Sequence, residues 1–268
     1  MAGTLTAQLY TLRHLTVNRT ALADALQRLR AIGYAAIEFG GVPAVLGPNA
    51  DTTVQEARKL CDDCGLRCVS AHKRWSELRS NTAHAIDDLH TLGARYVVVP
   101  IFVDEYDRYA LASYHQFVTD LAPVAAQLRS AGLTLGFHNH AYEFTRASPG
   151  GLRPFDVLIE ARDADLALEL DVYWAAVAGV NPVRVLERIH GRAPIIHLKD
   201  LEPVPEPQGG PNPFYAPVGE GNLDWDGIIP AAKAAGTQIW VVEQDLCRRD
   251  AFDCLRSSFE FLKARLER

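Results

Sequence analysis

The chain has 268 residues, 48% of them hydrophobic, and a formal net charge of −6. That length fits one large domain or two small ones with a full apolar core, and the acidic balance argues against a nucleic-acid partner, which normally meets a basic face. Met1 to Gln8 has neither the charged start nor the apolar stretch of a signal peptide, and no apolar run is long enough to cross a bilayer, so a soluble cytoplasmic protein without a membrane partner is expected.

The first apolar run starts near Leu5. The stretch after it puts Leu22, Leu26, Leu29 and Ile32 on one face of a helix. Gly33 closes that helix, and Ala35-Ala-Ile-Glu38-Phe39 follows as a short apolar run. The same unit, helix then glycine then strand, returns at Gly65 before Arg67 to His72 and at Gly93 before Tyr96 to Pro100. It returns again at Gly132 before Leu133 to His138 and at Gly236 before Gln238 to Glu243. Glycine just past a helix supplies the left-handed conformation that ends it. Further runs start at Leu166 and Pro194, and Phe252, Leu255, Phe259, Leu262 and Leu266 line one face of a last helix.

The strands are apolar throughout, as parallel strands covered on both faces should be. Eight such runs, each followed by a helix-compatible stretch, predict an α/β fold: a single (β/α)₈ TIM barrel over residues 1–268. A doubly wound open sheet is the alternative, but no G-x-G-x-x-G follows the first strand. Two longer loops, from Phe102 to about Arg108 and over 201–224, follow strands and so belong to the face where barrel enzymes carry their sites. The second is rich in Pro and Gly and is expected to act as an active-site lid. Five cysteines, an odd number, fit a reducing compartment. Cys61, Cys64 and Cys68 read as small apolar residues, because no fourth ligand for a metal lies nearby.

The last four strands end on chemistry: His138-Asn139-His140, Asp171, His197 and Glu243. Earlier strand ends add Glu38 and His72. In a barrel all of these point to one mouth. A mixed nitrogen and oxygen set without thiolate suits one divalent ion, Mn²⁺, Co²⁺, Fe²⁺, Zn²⁺ or Mg²⁺. One histidine at one strand end is weak evidence, but several at matching depth in successive strands point to a shared site.

These strand ends resemble those of the xylose-isomerase-like TIM barrels, the sugar phosphate isomerases and epimerases, along essentially the whole chain. Asp171 in Leu-Glu-Leu-Asp-Val-Tyr-Trp174, His197 in Ile-Ile-His-Leu-Lys-Asp200 and Glu243 in Val-Val-Glu-Gln-Asp245 match three of the family's four metal ligands, and Gly219 to Trp225 matches its segment after the long loop. The resemblance implies a divalent-metal-dependent isomerase or epimerase of carbohydrate metabolism that moves a proton next to the carbonyl of a sugar or keto-sugar.

The fifth strand departs from the family, which usually ends it on glutamate. Here it gives His138-Asn139-His140, and a carboxylate arrives only at Glu143. Either His138 binds the ion or the chain turns back and Glu143 does. Glu143 is preferred, since a third carboxylate suits such a cation and lowers the site charge. Glu143, Glu243 and His140 are then the catalytic candidates, and Glu143, Asp171, His197 and Glu243 the metal ligands. Glu38, His72, His138, Lys199 and Trp174 are assigned to substrate, with Trp75 a second flat wall.

Loss of the paired glutamates would also suit a keto-sugar or keto-inositol dehydratase or lyase. An endonuclease IV-like phosphodiesterase needs more strand-end ligands than Pro100-Ile101-Phe102 provides, and a non-catalytic sugar-binding barrel has no need of the Asp171, His197 and Glu243 set. The expected partner is a small carbohydrate, with self-association into a homo-oligomer left open.

Overall fold

The structure, a computed structural model, describes residues 3–102, 105–205 and 212–267. Eight parallel strands close on themselves: β1 (Thr4–Gln8), β2 (Ala36–Phe39), β3 (Arg67–His72), β4 (Tyr96–Val99), β5 (Thr134–His138), β6 (Leu166–Asp171), β7 (Ile195–Leu198) and, after a hairpin, β10 (Ile239–Val242). Closure runs through β1, which pairs Thr6 with Ala36 of β2 and with Val241 of β10. The open sheet is thereby ruled out, and the (β/α)₈ barrel expected from the apolar runs is found.

Although the strands read as uniformly apolar, they alternate by destination. Val97, Val99, Leu135, Phe137, Leu168, Leu170, Ile196, Leu198, Trp240 and Val242 join the large core under the surrounding helices. The opposite parity fills the barrel. Tyr96, Val98, Ile195, Ile239 and Val241 form a separate small cluster, and the next inward positions along the same strands are His197 and Glu243. Side chains alternate along a strand, so an apolar interior becomes polar toward the carboxyl ends.

The helices cover the outside. α1 (Arg19–Ile32) buries Leu22, Leu26 and Leu29, and α11 (Ala251–Leu266) buries Phe252, Leu255, Leu262 and Leu266. Asn18 caps α1 by accepting the N–H of Ala21. Gly93 (φ 78°) and Gly236 (φ 93°) take the left-handed conformation that ends α5 (Thr82–Leu92) and α10 (Trp225–Ala235). No helix among the described residues is long and apolar enough to cross a membrane.

Within 201–224 the structure has more order than a loop. β8 (Asp200–Val204) and β9 (Asn212–Ala216) pair antiparallel from Asp200↔Ala216 to Val204↔Asn212. The tip, 206–211, lies outside the described residues, as do 103 and 104 of the other long loop. Asp200 fixes the base of the hairpin. Its Oδ2 accepts the backbone N–H of Gly219 (2.9 Å) and Gly221 (3.1 Å) and the indole N–H of Trp225 (2.6 Å). Its Oδ1 accepts those of Leu201 (2.8 Å) and Leu223 (3.1 Å).

Candidate active site

Three neighbouring strands each deliver a pair of polar residues two positions apart: Glu169 and Asp171 from β6, His197 and Lys199 from β7 and its extension, and Glu243 and Asp245 past β10. Spacing by two keeps both members on one side of an extended chain. β2, β3 and β5 add Glu38, His72 and His138. All of these are buried except His72, which is nearly so, and Asp245 at the mouth.

Two groups of donor atoms result. His72, His138, Glu169 and His197 offer one nitrogen or oxygen each within 4.8 Å of one another, and so do Asp171, His197 and Glu243. In the first, Oε2 of Glu169 lies 3.0 Å from His72 Nε2, 3.0 Å from His138 Nδ1 and 3.2 Å from His197 Nε2. Glu38 sits below, where Oε1 accepts from the Gln8 amide at 2.7 Å and lies 2.6 Å from His197 Nε2; Oε2 accepts from Ser70 Oγ at 2.5 Å. In the second group, His197 Nδ1 is 3.1 Å from Glu243 Oε2, and Lys199 Nζ lies among Glu243 Oε2 (2.8 Å), Asp245 Oδ2 (2.9 Å) and Asp171 Oδ2 (3.0 Å).

Charge in a buried space is costly unless matched, and the site shows a surplus of negative charge. Burial would raise Glu38, but the imidazoles of His72 and His197 overcome it and hold the carboxyl well below its usual range. Burial likewise opposes the ionisation of Glu243, and Lys199 with His197 overcomes that. Glu169 is pushed up to about 7 by burial and by neighbouring Glu38, and burial raises Asp171. Oε1 of Glu169 is buried without a hydrogen-bond partner, and Oδ2 of Asp171 faces the Lys199 ammonium at 3.0 Å and His138 Nε2 at 3.6 Å. Buried carboxylate oxygens converging with imidazoles are the donor set a divalent cation takes, so the residues fit such an ion. The cysteines do not contribute: Cys61, Cys64 and Cys68 are free thiols outside both groups.

Glu143 takes a different position from the one its sequence suggests. After β5 the chain enters a single 3-10 turn, Tyr142–Phe144. This turns Glu143 into the protein, where Oε2 accepts the backbone N–H of His140 at 2.8 Å. It joins neither donor group among the described residues, and burial pushes it up to about 8. Glu169 stands among the imidazoles instead. Sequence reading missed it inside the apolar run; its spacing of two from Asp171 was the available signal.

The mouth is a cavity of about 750 Å³ whose walls include His72, His138, His140, Lys199, Glu243 and Asp245. His140 stacks on Tyr142 (5.6 Å between ring centres, 3° between planes) and approaches Trp174 at 5.3 Å. Burial and Lys199 lower it to about 3, leaving a neutral ring with an unpartnered Nδ1. Trp174 is half-buried beside Tyr215 of β9. Trp75 is fully buried against Phe117, with its N–H donated to Tyr106, so it belongs to the core and is no wall of the cavity.

The sequence profile of the xylose isomerase-like TIM barrel family matches residues 26–265. The fold is similar to that of a sugar phosphate isomerase/epimerase from Parabacteroides distasonis, at 22% identity, a TM-score of 0.80 and coverage of 98% of this chain and 94% of that one. It is similar to an L-ribulose 3-epimerase at 17% identity and a TM-score of 0.72, covering 100% and 95% of the two chains. A probable 3-DHS dehydratase from Bacillus anthracis is similar at 15% identity and a TM-score of 0.72, covering 97% and 98%. No curated protein sequence matches the chain.

Proposed function

The chain belongs to the xylose isomerase-like TIM barrel family, and from that premise we propose that it is a divalent-metal-dependent enzyme that moves a proton at the carbon next to the carbonyl of a sugar or cyclitol. The observation that carries this reading is the convergence of Asp171, His197 and Glu243 into one donor group, of which Glu243 lines a cavity of about 750 Å³. These three hold the ion, with His138 beside them at 3.6 Å from Asp171 Oδ2. When bound, such an ion supplies Lewis-acid polarisation of a substrate carbonyl.

The proton chemistry belongs to the cavity wall. Glu243, held ionised by Lys199 and His197, is a base. His140, kept neutral by burial, offers a second acceptor at Nδ1. Glu143 acts through His140, fixing the backbone that carries the ring. His72 is raised to about 10 by Glu38 and Glu169 against the opposing effect of burial, so it stays cationic and can donate to a substrate oxygen. Trp174 presents a flat apolar wall to the sugar ring.

The acceptors are unlike each other, a carboxylate and an imidazole. This asymmetry supports a second reading, a keto-sugar or keto-inositol dehydratase in which one acceptor removes the proton and cationic His72 protonates the leaving hydroxyl, which departs as water. Incubating the metal-loaded protein with a panel of keto-sugars and keto-inositols in D₂O tests both readings. Deuterium at a carbon next to the carbonyl with no loss of mass supports the isomerase, and loss of water supports the dehydratase. Turnover with neither deuterium incorporated at carbon nor water lost would overturn proton transfer altogether.

A further inference from the structure

Lys199 is the one lysine or arginine that is fully buried among the described residues, at 1% exposure. Its ammonium makes the contacts a metal ion would make. Two of the three carboxylate oxygens around it, Asp171 Oδ2 and Glu243 Oε2, belong to residues of the proposed ion site. The third, Asp245 Oδ2, lies farther out, on a side chain 24% exposed at the cavity wall. Asp245 is itself anchored: its backbone carbonyl accepts from Arg13 at 2.7 Å, and its carboxylate interacts with the Tyr215 hydroxyl of β9.

An ammonium and a divalent ion cannot both sit against the same two buried oxygens, because like charges at that separation repel strongly where water is excluded. We propose that Lys199 is an internal competitor for the metal. It neutralises Asp171 and Glu243 in the ion-free protein and surrenders them when the cation enters, keeping Asp245 as its partner. The ion-free site is thus held together by the chain's own cation, and metal affinity is reduced by the fraction of molecules in which Lys199 occupies the site. After the exchange, the ammonium stands at the cavity wall between Asp245 and the ring of Trp174, 5.8 Å from it already, where it faces substrate.

The inference rests on the metal-dependent reading, and Mn²⁺ binding separates the two. The full chain and its Lys199→Met variant are titrated with MnCl₂ by calorimetry and equilibrium dialysis, and both are melted with and without the ion. Without metal the variant melts lower than the parent, because its carboxylates lose their counter-charge. With Mn²⁺ it gains more, and its affinity is about tenfold tighter or more. Equal or weaker Mn²⁺ binding by the variant overturns the competitor role and leaves the metal site standing. If Lys199→Met does not fold, Asp245→Asn decides: removing the outer partner holds Lys199 on Asp171 and Glu243, so Mn²⁺ binds more weakly, and unaltered affinity overturns the proposal. Absence of Mn²⁺ binding by every protein, parent included, overturns the metal-dependent reading and this inference together.

Discussion

The backbone N–H of His140 donates to Oε2 of Glu143 at 2.8 Å, so the carboxyl that the sequence offers as a metal ligand is occupied in holding a turn. Its other oxygen is buried without a partner. Burial pushes this carboxyl from the usual 4.5 to about 8.

Folding therefore binds the Glu143 proton more tightly. The group costs nothing below the unfolded value and destabilises the fold increasingly as pH climbs toward about 8. Glu143→Gln keeps the acceptor for His140 and removes the titration. Urea denaturation is expected to show the variant little changed at pH 4 and more stable than the parent at pH 7, by roughly 3 kcal/mol. Metal stoichiometry stays the same. Loss of the ion in Glu143→Gln would restore Glu143 as a ligand.

His72 provides a second pH probe. Its raised value, about 10, depends on Glu38 and Glu169 outweighing burial. Its contribution to stability is full below the ordinary histidine range and disappears as pH rises toward that value. Glu169→Gln removes one of the two charges, so the imidazole of ion-free protein should titrate about one unit lower or more by NMR. An unchanged His72 titration would separate it from Glu169.

Asp200 gathers five N–H donors at the base of the hairpin. Asp200→Ala strands several of them. The expected loss is about 3 kcal/mol, since hydrogen bonds to a charged acceptor are among the stronger ones. Chemical denaturation measures it, and a loss below the scatter of surface substitutions would show that the hairpin base holds without Asp200.

The barrel was legible because parallel strands must be apolar on both faces, and glycines mark where the helices stop. Asp171, His197 and Glu243 were legible because each ends such a run. Glu169 was hidden inside Leu166 to Asp171, where four apolar neighbours mask one inward carboxylate. Gln8 and Ser70, which hold Glu38, were hidden because a buried amide or hydroxyl looks like any other polar residue until its partner on another strand is placed. The β8–β9 hairpin looks like a Pro- and Gly-rich loop in the sequence because strand pairing at an edge leaves little hydrophobic pattern. Glu143 reads as a metal ligand in the sequence because a sequence does not show that the chain turns through a 3-10 helix after the strand.

The proposed chemistry requires the carboxyl ends of β6, β7 and β10 to hold one divalent ion. Equilibrium dialysis of the full chain against Mn²⁺, Co²⁺ or Zn²⁺, followed by elemental analysis, measures this directly. About one ion per chain is expected for the parent, and none for Asp171→Asn and His197→Ala variants that keep the parent's circular dichroism. A folded parent that takes up no ion, or either variant retaining the parent's full complement, would contradict it.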